Sequence, residues 1–130
     1  MFRFSRTAAL ATALFIWATT AFGAEFLPFE RSQFEAAQKA GHAILIDITA
    51  PWCPTCKAQK PVIEKLAAQP EFKDLTIFTV DFDSQKQAVA ALKASSQSTL
   101  IAFKGSNETG RSVGDTQAAS IESLLRSAIN

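Results

Sequence analysis

The sequence predicts an α/β fold in which a central mixed β-sheet of about four strands is flanked by helices. Helix-forming segments alternate with short β-branched runs, the pattern of strands joined by crossover helices. Residues 43–49, AILIDIT, are apolar almost throughout, as expected of a strand covered on both faces. Near the carboxyl end a turn at Gly105 joins two strand-like segments closely enough to require an antiparallel pair.

Ser32 with Glu35 three positions later makes a capping-box pattern, which predicts a short helix over 33–40 ending at Gly41. After the strand 43–49, whose one charged residue is Asp47, a helix is predicted over 54–68 with Val62, Ile63 and Leu66 on its apolar side. Pro61 falls inside it and is expected to kink it. A second buried strand follows at 75–80, LTIFTV, then a helix capped by Asp83 or Ser84 and running to about Ala94, with Val89 and Leu92 inward. Residues 99–104 form a third strand, Gly105, Ser106, Asn107 and Gly110 a turn, and 111–113 a short fourth strand. Ile121, Leu124, Leu125 and Ile129 share one face of a closing helix over 116–129.

Composition narrows the function. A chain of 130 residues, 48% hydrophobic and 19% charged, holds one compact domain. Thirteen cations against twelve acids give a net charge of +1, too balanced for a nucleic-acid footprint or a polybasic membrane patch. Function is therefore sought in a local site, and Cys53 and Cys56, two cysteines three positions apart in sequence, stand out.

Arg3 and Arg6 precede an uncharged run over 7–22, and Ala21, Gly23 and Ala24 close it with small residues. This is the layout of a secretory signal, cleaved before Ala24 or Glu25, so residues 1–24 are expected to be removed and 25–130 to form the domain. The alternative, a retained anchor, is disfavoured because a spanning helix needs roughly 20 apolar residues. Removal deletes two arginines and no acid, leaving eleven cations against twelve acids, a net charge of −1. The expected location is the periplasm, with no stable membrane insertion after cleavage. No long apolar stripe beyond core needs is visible, so a monomer is expected.

A disulfide between residues so near in sequence removes little entropy from the unfolded chain, so this pair is better suited to reaction than to stapling. At a strand-to-helix junction Cys53 falls at the helix amino terminus, where free N–H groups and the helix dipole favour a thiolate. Pro54 suits the first helical position, and Cys56 in the first turn can resolve a mixed disulfide. Cys53 is thus the candidate nucleophile and Cys56 the resolving thiol. A structural disulfide and half of a metal site remain as alternatives. His42 is too isolated to complete a zinc tetrad and reads as a solvated loop residue, and Lys57 as a solvated helix residue.

The stretch Ile46-Asp47-Ile48-Thr49-Ala50-Pro51-Trp52-Cys53-Pro54-Thr55-Cys56-Lys57, with Pro61 beyond it, resembles the active-site region of the thioredoxin family. The order of elements from Ser32 to the end is similar to that of the thioredoxin fold. The resemblance implies a thiol:disulfide oxidoreductase with no cofactor beyond the redox-active disulfide, acting on protein disulfide or dithiol partners. It also places Asp47 beneath Cys56, where a carboxyl can pass protons to and from the resolving thiol. Trp52 is expected to shield the disulfide and form part of a docking surface. The Pro54-Thr55 pair is similar to that of exported thioredoxins that supply electrons for cytochrome c maturation, which implies a membrane thiol-electron relay upstream.

Two positions depart from the family pattern. Where thioredoxins carry a cis-proline whose neighbours bind substrate backbone, this chain has Ser98, followed by Thr99. A cis bond without proline costs about 3 to 4 kcal/mol, so the Gln97-Ser98 bond is expected to be trans and the loop to differ in shape. The proline ring also screens the sulfurs from metals, so its loss opens the pair to a metal ion. Thr79 stands where cytoplasmic thioredoxins place a lysine near the buried acid, so Asp47 is expected to stay protonated more readily.

The resulting expectation is an exported reductant or exchanger of disulfides, because no cation between the cysteines stabilises the thiolate as a strong oxidant requires. Alternatives are a disulfide oxidant, a metal-binding or metal-delivery module using the same sulfurs with copper(I) as a suitable soft ion, and a non-catalytic adaptor.

Overall fold

The computed structural model describes residues 22–130; the expected signal segment lies, but for its last three residues, outside them. Among the described residues the order is β1 (Glu25–Pro28), α1 (Arg31–Lys39), β2 (Ala43–Thr49), α2 (Pro54–Ala67), a 3₁₀ turn (Pro70–Phe72), β3 (Leu75–Asp81), α3 (Lys86–Ala91), β4 (Thr99–Lys104), β5 (Asn107–Val113) and α4 (Ala118–Ile129). The strands form one five-stranded sheet in the order β1-β3-β2-β4-β5. β1 and β2 run parallel to β3 on either side of it, and β4 is antiparallel to both β2 and β5. This is a mixed sheet between helices, with one strand more than the sequence reading.

The additional strand is β1. Its sequence, EFLP, is too short for a periodicity to emerge, and it pairs with β3 through four residues at the sheet edge. The capping-box reading of Ser32 is also corrected. Helix α1 begins at Arg31 behind Glu30, with no side-chain cap, so Ser32 lies inside the first turn. Neither Asp83 nor Ser84 caps α3; Gln85 occupies that position, while the backbone N–H groups of Asp83 and Ser84 donate to Asp81 Oδ1 at 3.0 and 2.8 Å. The carboxylate that terminates β3 thus satisfies the turn, and α3 shortens to six residues. The last strand starts at Asn107 rather than Arg111, because Gly105 and Ser106 alone make the turn. Gly105 sits at φ +60° with its N–H on the His42 carbonyl, a conformation suited to glycine.

Alternation along the strands sorts the core into two layers and fixes which face meets the cysteines. Ile44, Ile46 and Ile48 of β2, Phe78 and Val80 of β3, and Ile101 and Phe103 of β4 pack with Phe29, Phe34, Val89 and Leu92 on one side. Four phenylalanines there, Phe29, Phe34, Phe78 and Phe103, meet in tilted or edge-to-face pairs with centroids 5.5 to 6.2 Å apart. Leu45, Ile77, Leu100 and Ala102 face the other way, against Ile63 and Leu66 of α2 and Ile121 and Leu125 of α4. Asp47 shares the face of Leu45, two residues along the strand, which turns it toward α2.

Candidate active site

β2 ends at Thr49, and three residues later the chain enters α2 with Cys53 as N-cap. Cys53 has extended backbone angles, and its Sγ accepts the Cys56 backbone N–H at 3.0 Å, one of the donors that a helix start leaves free. Pro54 follows at the first helical position, where its missing N–H forfeits nothing. Cys53 and Cys56 form a disulfide with Cα atoms 5.3 Å apart, and both are buried, Cys53 at 1% exposure. The helix is continuous through Pro61 to Ala67.

Ser98 closes the site from the opposite loop. Its Oγ lies 3.1 Å from Cys53 Sγ and 3.2 Å from Cys56 Sγ. The Gln97-Ser98 bond is trans, as expected without proline, and Ser98 adopts the left-handed region at φ +61°. Such a backbone costs a non-glycine residue energy and persists only where its surroundings hold it. Here the Ser98 N–H donates to the Ile48 carbonyl at 2.8 Å, and its carbonyl accepts from the Gly114 N–H at 2.9 Å. Gln59 Nε2 donates to the same carbonyl at 3.2 Å and to the Asp115 carbonyl at 2.8 Å.

Asp47 and Cys56 line one cavity of about 360 Å³, together with Thr49, Lys60, Glu64 and Thr79. Asp47 stands opposite Thr79 in the β2–β3 register, so the strand that carries lysine in cytoplasmic thioredoxins offers no cation here. Burial pushes the Asp47 carboxyl up to about 6, and the Lys60 ammonium partly opposes this. The direction is the one the sequence predicts, but its counterweight, Lys60 on α2, is not.

Trp52 is 55% exposed beside the disulfide, with its indole Nε1–H donating to Asp83 Oδ2 at 2.7 Å. Pro54 is exposed and Thr55 half-buried on the same helix start. Thr99 is set apart from this surface. It is buried in β4 between β2 and β5, and its hydroxyl donates to the Ser96 carbonyl at 2.7 Å. Lys57 and His42 are exposed. Among the described residues no group of three His, Cys, Asp or Glu side chains comes together to hold a metal.

Three participants escaped the sequence reading. Gln59 and Lys60 follow Cys56 at helical spacings of three and four, which places a polar residue within the buried stripe of α2 and a cation on the cavity that Cys56 lines. That spacing was the available signal. Asp83 carried none, since its link to Trp52 spans 31 residues.

A disulfide capping a helix, with a buried carboxyl behind its second sulfur and an exposed tryptophan beside its first, defines a thiol:disulfide oxidoreductase. The pair itself is the redox group, and no further cofactor is needed. Residues 25–127 match the Thioredoxin family, and the chain belongs to that family. It is 42% identical over 86 residues to the thioredoxin of Chlamydia trachomatis, covering 66% of this chain and 82% of that protein. Thioredoxin-2 of Saccharomyces cerevisiae is 35% identical over 89 residues, covering 68% and 84% respectively. Among solved structures, Trxlp from Edwardsiella tarda EIB202 superposes with a TM-score of 0.76 at 39% identity, over 78% of this chain and 98% of that one.

Proposed function

We propose that this protein is an exported thioredoxin that reduces or exchanges disulfides of periplasmic partner proteins. The observation that carries the reading is the Cys53–Cys56 disulfide at the start of α2, with uncharged Pro54 and Thr55 between the sulfurs. In the reduced protein the Cys53 thiolate attacks a partner disulfide, forms a mixed disulfide and expels one partner thiolate, which takes up a proton. Asp47 then accepts the Cys56 proton through their shared cavity. The Cys56 thiolate attacks Cys53 Sγ, restores the intramolecular disulfide and releases the second partner thiolate. Two electrons pass from the protein to the partner, and a dithiol relay in the membrane returns them.

Trp52, Pro54 and Thr55 form the docking surface, with Ser98 at its floor beneath the two sulfurs and Thr99 behind it holding the start of β4. The arginines and the apolar run ahead of residue 24 support export, and the Pro54-Thr55 pair supports a place in cytochrome c maturation. The mature chain acts as a monomer, without nucleic acid or stable membrane insertion.

The deciding measurement is the equilibrium reduction potential, read through Trp52 fluorescence. A value near the thioredoxin end, roughly −270 mV, supports a reductant; one near −120 mV makes the protein an oxidant and overturns the direction. Amino-terminal sequencing of the protein recovered from a periplasmic fraction checks export, expecting a start at Ala24 or Glu25.

A further inference from the structure

Both hydrogen-bond partners of the Ser98 hydroxyl are the redox sulfurs, at 3.1 and 3.2 Å, and the residue is 4% exposed. Its backbone is fixed on both sides. The N–H is held by Ile48, and the carbonyl is held by Gly114 and by the buried Gln59, whose amide is anchored a second time at Asp115. The strained φ of +61° is thus maintained by three bonds to the Ser98 backbone, and it delivers a hydroxyl midway between two sulfurs.

A hydroxyl has one hydrogen to donate and lone pairs to accept. A disulfide sulfur is a weak acceptor, whereas a thiolate takes a charge-assisted hydrogen bond of roughly twice the ordinary strength. Reduction by a dithiol adds two electrons and one proton to the pair. It leaves a thiolate at Cys53, where the Cys56 N–H already points, and a thiol at Cys56.

We infer that in the reduced protein the Ser98 hydroxyl bridges the two sulfurs, donating its hydrogen to the Cys53 thiolate and accepting the Cys56 S–H. Ser98 is then a catalytic residue that stabilises the dithiol form. The inference rests on thiol–disulfide chemistry at this pair and is independent of export or of the net direction of electron flow.

The test compares the purified protein with Ser98→Gly and Ser98→Ala. Glycine removes the hydroxyl while accepting the left-handed backbone, and alanine removes it under strain. Thiolate absorbance of the reduced proteins is followed against pH, and the potential is taken from equilibrium with glutathione. Both variants are expected to require about tenfold lower proton concentration for Cys53 to ionise. Their potentials are expected to fall by about 30 mV, the equivalent of tenfold for a two-electron couple. An unmoved or lowered Cys53 titration in Ser98→Gly overturns the inference. So does a shift confined to Ser98→Ala, which would trace the effect to backbone strain. If the wild-type potential proves strongly oxidising but the glycine variant still shifts as stated, the reductant reading fails and this one stands.

Discussion

Asp47 on β2 and Lys60 on α2 face one cavity, the carboxyl lifted to about 6 by burial and drawn back by the ammonium. In this chain the cation that tempers the buried acid comes from a helix rather than from the neighbouring strand. Lys60 is 75% exposed and 3.9 Å from Glu64, so its pull on Asp47 is screened. Lys60→Met is expected to raise the Asp47 titration by a few tenths of a pH unit at low salt and by nothing measurable at 1 M salt. A carboxyl NMR titration at both salt concentrations checks this.

Asp47 itself is expected to cost stability at neutral pH. Its folded value, about 6, lies above the ordinary 3.8, so the folded state binds the proton more tightly than the unfolded state does. This contribution to stability is fully present below about 4 and is lost as pH rises through about 6. Asp47→Asn is therefore expected to gain on the order of 2 kcal/mol at pH 7, somewhat less than the full shift represents because the cavity admits solvent. It is also expected to slow resolution of the mixed disulfide. Urea unfolding at pH 4 and pH 7 checks the stability, the variant's advantage vanishing at the lower pH.

The two cysteines are expected to fail differently. Cys53→Ser is expected to abolish disulfide reduction, since the sulfur that caps α2 is the proposed attacking group. Cys56→Ser still attacks and accumulates a covalent complex with its partner, visible on a non-reducing gel and dispersed by dithiothreitol. Turnover by Cys53→Ser would refute the assignment.

Gln59 is expected to matter for the loop more than for the helix that bears it. Gln59→Leu keeps the buried volume but leaves the Asp115 carbonyl without this donor, and leaves the Ser98 carbonyl with Gly114 alone. The expected loss is about 1 to 3 kcal/mol of unfolding free energy, measured by denaturant titration. Faster amide exchange at Ser98 and Gly114 than in helix α4 would localise it.

Trp52 is expected to separate protein substrates from small ones. It is half exposed and steadied by Asp83, the arrangement of an aromatic contact rather than of a core residue. Trp52→Ala is expected to lower kcat/KM for a protein disulfide by about tenfold, equivalent to 1.4 kcal/mol, while barely changing it for a small disulfide. Equal losses for both would assign Trp52 to the chemistry instead of to docking.

Much of this structure was legible because its signals are local. The strand 43–49 and the strand 99–104 have the bounds their β-branched composition predicts, and Cys53 caps α2 where Pro54 announces a helix start. What escaped was held by distant partners. β1 owes its conformation to β3, some fifty residues away, and nothing in EFLP announces it. α3 starts later than its composition predicts because Asp81 takes the N–H groups of Asp83 and Ser84 into a turn of its own. At the site, the departure at Ser98 was visible, but its contact with both sulfurs depends on a left-handed backbone that three long-range bonds impose.

That backbone also sets which residues the loop admits at this position. Proline requires φ near −65° and has no N–H, whereas residue 98 sits at +61° and donates to Ile48. Ser98→Pro alone is therefore incompatible with this loop; it inverts a dihedral and leaves the Ile48 carbonyl without its donor. A proline would fit here only if residue 98 left the left-handed region, which means giving up its bond to Ile48 and moving the carbonyl that Gln59 and Gly114 hold.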